Sequence, residues 1–480
     1  MTALLMRWCV AIVLNLGLLS ALPPRERSQV PSLPGVSNRV DQTASHIVAA
    51  GFPEETHHVV TGDGYILQLH RIPHGRGDAS GVRGTPVFMM HGLMATSTAY
   101  VQQGPELSMG FNLADAGYDV WLGNARGNRN SRAHATLDPD QDKLDFFDFS
   151  WDDIGQRDLP AMIDYVLTTT GHEKLHYIGH SQGGTVFLVL NSMMPQYNDK
   201  FYSAHLLAGV GYMTYFPDAN LGALAQRTNT LYTLARRLGF VEIFPPDSNS
   251  TSLPDWLFPL TRVNVDCTLS GDICDAINLL RNDRQTKEDS VPTEQIGIFG
   301  GAAVKQYAHY GQNIAAKAFR RWDFGRRRNV AMYGTDDPPI YDISLITVNT
   351  TMHYTVADNL LDERDVLDMV QVMPNTRARR VARDTFQHVD FVVTDDAKEL
   401  VTDYIIEAIG LMEKERDEAN TEEDPASQTE APVSQTEAPA LLPEEVISIS
   451  PPDVPGSSST LTLGVLSYVS ILVLYVLGRI

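Results

Sequence analysis

Cysteine and basic residues are both scarce in this chain. It has only 3 cysteines in 480 residues, which excludes a scaffold held together by many disulfides. Its 37 lysines and arginines against 59 aspartates and glutamates leave a formal net charge of -22. A surface of that sign repels phosphates, so we expect no nucleic-acid partner and no broad contact with an anionic membrane. The length and the hydrophobic fraction of 43% predict one large domain with an insertion and tails.

Long apolar runs are rare too, and two of them lie at the ends of the chain. At the N-terminus, Arg7 precedes an apolar run that closes on the small residues Ser20 and Ala21. This pattern predicts a cleaved secretory signal over residues 1–21, with an uncleaved anchor as the alternative.

A secretory route has two covalent consequences. Cys267 and Cys274 remain once the signal is removed together with Cys9, and in an oxidising compartment they are predicted to pair with each other. Asn249 begins an N-x-[ST] sequon in a polar loop and is the predicted glycosylation site. The sequon at Asn349 lies in a strand-like stretch, where we expect a more buried side chain.

The C-terminal part is acidic and rich in Pro, Ser and Thr. Between Glu413 and Asp453 there are 12 acidic and 2 basic residues, and the sequence SQTEAP occurs twice. Such a composition cannot offset the entropy cost of ordering, so residues 413–460 are predicted to be a disordered stalk. The apolar residues 461–480 are then either a membrane-spanning helix or the removable signal for a lipid anchor that follows Gly456–Ser459. Both interpretations tether the protein to a membrane outside the cell.

Buried strands and helices alternate in the middle of the chain. Thr85–Gly92, Tyr118–Gly127 and Lys174–Gly183 each have the pattern of a buried strand that ends at a glycine-bearing turn. Asp158–Gly171 has apolar residues at helical spacing and closes on a glycine. This alternation predicts an α/β fold with a mostly parallel sheet, in which ligands bind outside the carboxyl ends of the strands.

The third strand ends in a Gly-x-Ser-x-Gly sequence made of Gly179, His180, Ser181, Gln182 and Gly183. Between a strand and a helix this sequence is typical of a nucleophile elbow, a strained turn that exposes the serine hydroxyl. The small flanking glycines let the strand and the helix approach each other. The backbone N–H of the residue after the serine, at the helix N-terminus, points to where an oxyanion would form.

A serine hydroxyl becomes a useful nucleophile only when a histidine takes its proton and an acid orients that histidine. In this architecture the acid and then the histidine follow the serine along the chain. The histidines after Ser181 are His205, His309, His353 and His388. His388 lies in the sequence FQHVDF, beside a strand-like FVV and near the end of the predicted folded region, so it is the candidate base.

Several long stretches make the chain resemble the acid lipase family of α/β hydrolases, which includes gastric, lysosomal and insect lipases. The resemblance runs from about Ala49 to Glu413 and includes the sequences HGLMATS, GYDVWLGNARGNRNSRAH, LHYIGHSQG and PPIYDIS. It implies an α/β-hydrolase domain over residues 22–412, interrupted by a helical cap at about residues 211–337. A cap of this kind shields a long acyl chain from water while its ester reaches the serine.

The resemblance also implies roles for individual residues. Ser181 resembles the nucleophile, and His388 resembles the base in a phrase that the family usually writes close to YNHLDF. Asp358 takes the place of the acid, and the backbone N–H groups of Leu93 and Gln182 take the places of the oxyanion donors.

The sequence departs from the family on both sides of the implied acid. Thr355–Ala357 precede Asp358 where the family has glycine and polar residues, and Asn359 follows where the family has tryptophan. Asp362 and Asp365 are therefore alternative partners for the histidine.

Together these features predict a serine esterase that cleaves triacylglycerols or sterol esters at a lipid interface through an acyl-enzyme. No cofactor and no metal is expected: the sequence DPDQD at Asp138–Asp142 begins like a calcium loop but lacks its glycine and glutamate. The predicted location is extracellular, tethered to the cell surface or, by family resemblance, lysosomal. A weakly active or inactive lipid-binding surface module is the alternative function, and a protease with the same triad is a third.

Overall fold

The structure is a computed structural model that describes residues 41–77, 84–243 and 300–423. The predicted signal, Asn249, Cys267, Cys274 and the C-terminal apolar run lie outside the described residues, so what was predicted for them stays a prediction.

A twisted sheet of nine strands forms the centre of the molecule. The strands in chain order are β1 Glu55–Val60, β2 Tyr65–Ile72, β3 Pro86–Met90, β4 Asp119–Gly123, β5 Ala133–His134, β6 Leu175–His180, β7 Phe201–Leu207, β8 Glu242–Ile243, β9 Ala302–Ala303, β10 Thr350–Tyr354 and β11 Thr376–Arg380. The order across the sheet is β1-β2-β4-β3-β6-β7-β10-β11, with β5 paired to β2, while β8 and β9 form a separate antiparallel pair. From β4 to β11 every neighbouring pair is parallel, and β1, β2 and β5 form an antiparallel edge.

Helices connect these strands and cover the sheet. They are α1 Gln42–Ala49, α2 Met109–Asp115, α3 Lys143–Phe146, α4 Trp151–Asp153, α5 Leu159–Thr170, α6 Gln182–Met193, α7 Ala219–Ala225, α8 Thr228–Arg237, α9 Val304–Ala316, α10 Arg326–Tyr333, α11 Glu363–Val372, α12 Asp390–Val393 and α13 Asp403–Glu423. Single 3-10 turns occur at Ser97–Tyr100, Pro195–Lys200 and Ile343–Leu345, and π-helical turns at Ile154–Asp158 and Lys398–Thr402.

The predicted strands and helices of the middle region are present, with shorter strands than predicted. β3, β4 and β6 are buried along their whole length, as strands covered on both faces must be. Helix α5 ends where predicted, at Gly171, whose φ of 74° closes the helix in the left-handed conformation. The predicted α/β fold with a mostly parallel sheet is therefore confirmed.

Two local predictions are wrong. The residues FVV after His388 belong to the short helix α12 and not to a strand. The stalk was predicted to begin at Glu413, yet α13 continues to Glu423. No proline or glycine interrupts this stretch, and the Glu413 carboxylate lies 3.6 Å from the Nε2 of His176 on β6, which ties the helix to the sheet.

The described parts of the predicted cap follow β7. They include α7, α8, the β8-β9 pair and α9, and side chains of the three helices line a cleft together with Ser181, which follows β6. The described part of the cap therefore lies over Ser181 and His388.

Candidate active site

Ser181 lies at the turn between β6 and α6 in a strained backbone conformation, with φ 52° and ψ -112°. The turn is possible because the residues two positions before and two positions after Ser181 are glycines. A Cβ at Gly179 would lie 2.6 Å from the backbone of Gly183, and a Cβ at Gly183 would lie 2.1 Å from the carbonyl oxygen of Met90 on β3. The strain and the close approach are those of a nucleophile elbow, and the side chain of Ser181 is partly exposed.

The structure brings together the three side chains that the sequence proposed as a triad. The Nε2 of His388 lies 2.8 Å from the Oγ of Ser181, and its Nδ1 lies 2.7 Å from an Oδ of Asp358. A carboxylate only accepts, so the Nδ1 of His388 carries the proton and its Nε2 is free to accept from the serine hydroxyl. The arrangement can therefore deprotonate Ser181 as it attacks a carbonyl carbon.

Asp358 is held in place by its own loop. Its other carboxylate oxygen accepts the backbone N–H groups of Leu360 at 2.8 Å and Leu361 at 2.9 Å. Thr355, one of the residues that depart from the family, donates from its hydroxyl to the carbonyl of Phe386, two residues before the base. The unusual acid loop is thus braced against the loop that carries His388.

The alternative acids have other partners. Asp362 caps the N-terminus of α11 through the N–H of Arg364. Asp365 is buried and accepts the backbone N–H groups of Thr214 at 2.9 Å and Tyr215 at 3.0 Å, where the chain leaves the sheet for the cap. Burial raises the pKa of Asp365.

The two predicted oxyanion donors belong to the loop after β3 and to the start of α6. Gln182 is the first residue of α6, so its backbone N–H has no acceptor within the helix. Leu93 follows Gly92 in the loop after β3 and lines the cleft together with Ser181. A Cβ at Gly92 would lie 3.2 Å from the Cβ of Ser181, so any other residue there would push the elbow away by a few tenths of an ångström.

A buried histidine of the predicted oxyanion loop, for whose side chain the sequence suggested no role, holds this loop. The Nδ1 of His91 donates to the carbonyl of Gly92 at 2.8 Å, and its Nε2 accepts from the N–H of Ala125 at 3.1 Å and from the side-chain amide of Asn128 at 3.0 Å. Burial lowers the pKa of His91 to about 4, which keeps the ring neutral as this pattern requires.

His180 was predicted only as part of the elbow, but it also contacts the base. Its Nε2 donates to the backbone carbonyl of His388 at 2.9 Å, and the two rings lie 5.5 Å apart. Burial lowers the pKa of His180 to about 3, so it stays a neutral donor. The elbow therefore fixes the backbone of the loop that approaches it.

A deep apolar cleft opens at Ser181, with a volume of about 1300 Å³ including its mouth. One wall comes from the loops that carry Leu93 and Val389, and the opposite wall comes from the cap. The cap wall includes apolar side chains of α7, α8 and α9, namely Leu221, Leu224, Leu231, Ala308 and Ile314. None of the described residues that line the cleft is Asp, Glu, Lys or Arg.

Three further sequence predictions concern a metal site, a membrane-spanning helix and the burial of Asn349. Within the described ranges no group of three or more His, Cys, Asp or Glu side chains is arranged to hold a metal ion. In the same ranges no helix combines the length and the hydropathy needed to cross a bilayer. Asn349, which we expected to be buried, is exposed just before β10, because the strand begins one residue later.

The chain is similar to known lipases over most of its length. The family model described as "Partial alpha/beta-hydrolase lipase region" matches residues 43–104, and the model described as "alpha/beta hydrolase fold" matches residues 85–242. Lipase 1 of Drosophila melanogaster is 37% identical over 378 residues, which cover 78% of this chain and 81% of that protein. The lysosomal acid lipase/cholesteryl ester hydrolase of Homo sapiens is 33% identical over 372 residues, 76% of this chain and 90% of that protein. The gastric triacylglycerol lipase of Bos taurus is 32% identical over 380 residues, 78% of this chain and 91% of that protein.

The alignments cover most of the length of these relatives, and the sheet carries a serine at a strand-to-helix elbow. The chain therefore belongs to the acid lipase family of α/β hydrolases and is a carboxylic ester hydrolase.

Proposed function

We propose that this protein hydrolyses esters of uncharged lipids, with Ser181 as nucleophile, His388 as general base and acid, and Asp358 as the orienting acid. The observation that carries the proposal is the chain of contacts of 2.8 and 2.7 Å from Ser181 through His388 to Asp358 at the mouth of an apolar cleft.

The reaction follows from these positions in two half-reactions. His388 takes the proton of Ser181 as the serine oxygen bonds to the ester carbon, and the backbone N–H groups of Leu93 and Gln182 stabilise the oxyanion. When the tetrahedral intermediate collapses, the ester C–O bond breaks and His388 returns the proton to the leaving alcohol. Water then attacks the acyl-enzyme with the same base and restores the serine.

The lining of the cleft supports an uncharged substrate. An apolar wall of this depth removes an acyl chain from water, which favours binding by roughly 0.8 kcal/mol for each buried CH₂ group. A phospholipid headgroup would enter a cleft whose described lining offers no Arg or Lys to neutralise it. Triacylglycerols and sterol esters fit this chemistry, and the names of two relatives contain the words triacylglycerol and cholesteryl ester.

The location is part of the proposal. The signal-like residues 1–21 and the names of the gastric and lysosomal relatives support a secretory route, and the C-terminal apolar run supports a tether. If phosphatidylinositol-specific phospholipase C releases the protein from cells, the tether is a lipid anchor. If the enzyme stays cell-bound after that treatment, a spanning helix is the better interpretation, and free enzyme in the medium would contradict tethering.

A labelling experiment tests the chemistry. The full chain is expressed in a secretory host, and wild type is compared with Ser181→Ala and His388→Ala for reaction with a fluorophosphonate and for hydrolysis of triolein, cholesteryl oleate and phosphatidylcholine. We expect labelling and hydrolysis of the two uncharged lipids by the wild type only. A folded wild type that does not label would overturn the enzymatic proposal and favour the lipid-binding alternative, and preferred hydrolysis of phosphatidylcholine would overturn the proposed substrate class.

A further inference from the structure

Two side chains of the cap helix α9 bind the first turn of the nucleophile helix α6. The Nε2 of Gln306 lies 2.8 Å from the Oε1 of Gln182, and the hydroxyl of Tyr310 lies 2.9 Å from the Oγ1 of Thr185. All four side chains are buried. Gln306 and Tyr310 are four positions apart and Gln182 and Thr185 are three apart, so one face of each helix meets the other.

The direction of both hydrogen bonds is fixed by further contacts. The Oε1 of Gln306 accepts the backbone N–H of Ala303 at 2.8 Å, so its NH₂ group must face Gln182. The hydroxyl of Thr185 donates to the carbonyl of Val210 at 2.6 Å, so it accepts from the hydroxyl of Tyr310. In both bonds the cap is the donor and the nucleophile helix is the acceptor.

Gln182 is the one of these residues that lies next to the reacting atoms. Its peptide follows Ser181, whose ψ of -112° sets the direction of the Gln182 N–H. The side chain of Gln182 leaves the helix at its first position, where no preceding turn packs against it. Without the NH₂ group of Gln306 the Oε1 of Gln182 would be a buried acceptor that has lost this donor, and the side chain would be driven to move.

We propose that Gln306 is a positioning residue for oxyanion stabilisation: from the cap it holds the side chain of Gln182 and thereby keeps the Gln182 backbone N–H directed at the developing oxyanion. This inference rests on the proposed donor role of Gln182. Helix α9 would then contribute to the reaction through its packing on α6, in addition to forming a wall of the lipid cleft.

The inference predicts a change in rate and not in binding. Removal of an oxyanion donor lowers kcat by roughly 100-fold to 1000-fold, so a donor that is present but misdirected should lower it by about tenfold. KM should stay near the wild-type value, because the ground-state ester is held by the apolar cleft and gains little from the oxyanion donors.

Gln312 provides a matched control on the same helix. It is also buried, and its side-chain amide makes three hydrogen bonds, to Asn229 at 2.7 Å and to the backbone O and N of Asp323, both at 2.9 Å. It does not line the lipid cleft. Gln312→Leu and Gln306→Leu should therefore lower Tm by similar amounts, but only Gln306→Leu should lower kcat and the rate of fluorophosphonate labelling.

A double-substitution cycle identifies the route of the effect. If Gln306 acts through Gln182, adding Gln306→Leu to Gln182→Leu should lower kcat by less than twofold further. A full tenfold further loss would overturn the proposed route. Gln306→Glu is the second variant in case the leucine variants do not fold, since it keeps an acceptor for Ala303 but, when ionised, has no donor for Gln182. We expect it also to lower kcat about tenfold at neutral pH.

The outcomes separate this inference from the proposed function. If wild type labels and hydrolyses esters while Gln306→Leu matches Gln312→Leu in kcat, or Gln306→Glu keeps the wild-type kcat, the positioning role is wrong and the proposed function stands. If folded wild type neither labels nor hydrolyses esters, the proposed function fails and this inference fails with it.

Discussion

Among single residues, the site depends on a serine whose backbone is held in a conformation that residues other than glycine rarely adopt. The φ of 52° at Ser181 costs roughly 1 to 3 kcal/mol in an isolated chain. The packing around the turn imposes this conformation, because β6 must lead directly into α6 where Gly179 and Gly183 already lie against neighbouring backbone. His180, Thr355 and His91 then fix the loops around the serine through backbone carbonyls.

The acid loop gives the sharpest prediction at this scale. Asp358→Asn should lower kcat by roughly 1000-fold to 10000-fold, because an amide would favour the wrong tautomer of His388 while it fills the same space. Asp362→Asn is the matched control, since asparagine caps α11 as well as aspartate does. Steady-state hydrolysis of a soluble short-chain ester measures both. Equal activity of wild type and Asp358→Asn would show that another group orients the histidine.

At the scale of elements, the nucleophile helix is packed against its neighbours through backbone. A Cβ at Gly184 on α6 would lie 2.4 Å from the Cα of Gly209, just after β7, so the two segments touch glycine to glycine. This contact brings the start of the cap close to the elbow, and α9 adds its hydrogen bonds to the same helix from the cap side.

Gly184→Ala should therefore destabilise the protein by about 3 kcal/mol or more, because two backbones and not flexible side chains would have to separate. Gly222→Ala is the control: this glycine is also helical, on α7, but a Cβ there meets nothing within 4 Å. That substitution should be neutral or stabilise the protein by roughly 0.5 to 1 kcal/mol. Urea unfolding of both variants checks the contrast, and similar midpoints for the two would contradict it.

At the scale of the whole molecule, buried histidines dominate the response to acid. Burial lowers the pKa of His180, His205 and His309 to about 3, and it lowers the pKa of His353 well below the usual value. The Nδ1 of His205 on β7 lies 3.1 Å from the Nε2 of His353 on the adjacent strand β10. Nearby arginines oppose the protonation of both rings further. In the unfolded chain each would take up a proton near pH 6.5.

Because the unfolded state binds these protons and the folded state does not, stability is full above about pH 6.5 and falls as the pH decreases toward 3. Each histidine contributes a slope of up to roughly 1.4 kcal/mol per pH unit. Burial raises the pKa values of Asp158, Glu242 and Asp365 in spite of their hydrogen-bond donors, which acts in the opposite sense, but these three carboxyls are fewer than the four histidines. We therefore expect Tm to fall between pH 7 and pH 5, as measured by calorimetry. A Tm that rises over this interval would contradict the neutral state of these histidines.

The net charge of -22 is a second property of the whole molecule. At low ionic strength, an emulsion of triolein that contains anionic lipid should bind less enzyme and be hydrolysed more slowly than a neutral one. Salt at about 0.15 M shortens the Debye length to about 8 Å and should reduce the difference. Faster hydrolysis on the anionic emulsion would instead point to a local basic surface that the net charge conceals.

The sheet type, the family, the elbow and the positions of its serine and glycines could be predicted from the sequence alone, because these depend on local periodicity and on residues whose size is decisive at one point of the chain. The sequence indicated His388 and, through the family resemblance, Asp358, although the residues around Asp358 are unusual. The contacts of His91, His180 and Gln306 could not be predicted from the sequence, and the stalk was predicted to begin before α13 ends, because each of these depends on a partner distant in sequence. The choice of Asp358 over Asp362 and Asp365 as the partner of the histidine required the folded chain, since a hydrogen bond requires both atoms within about 3 Å.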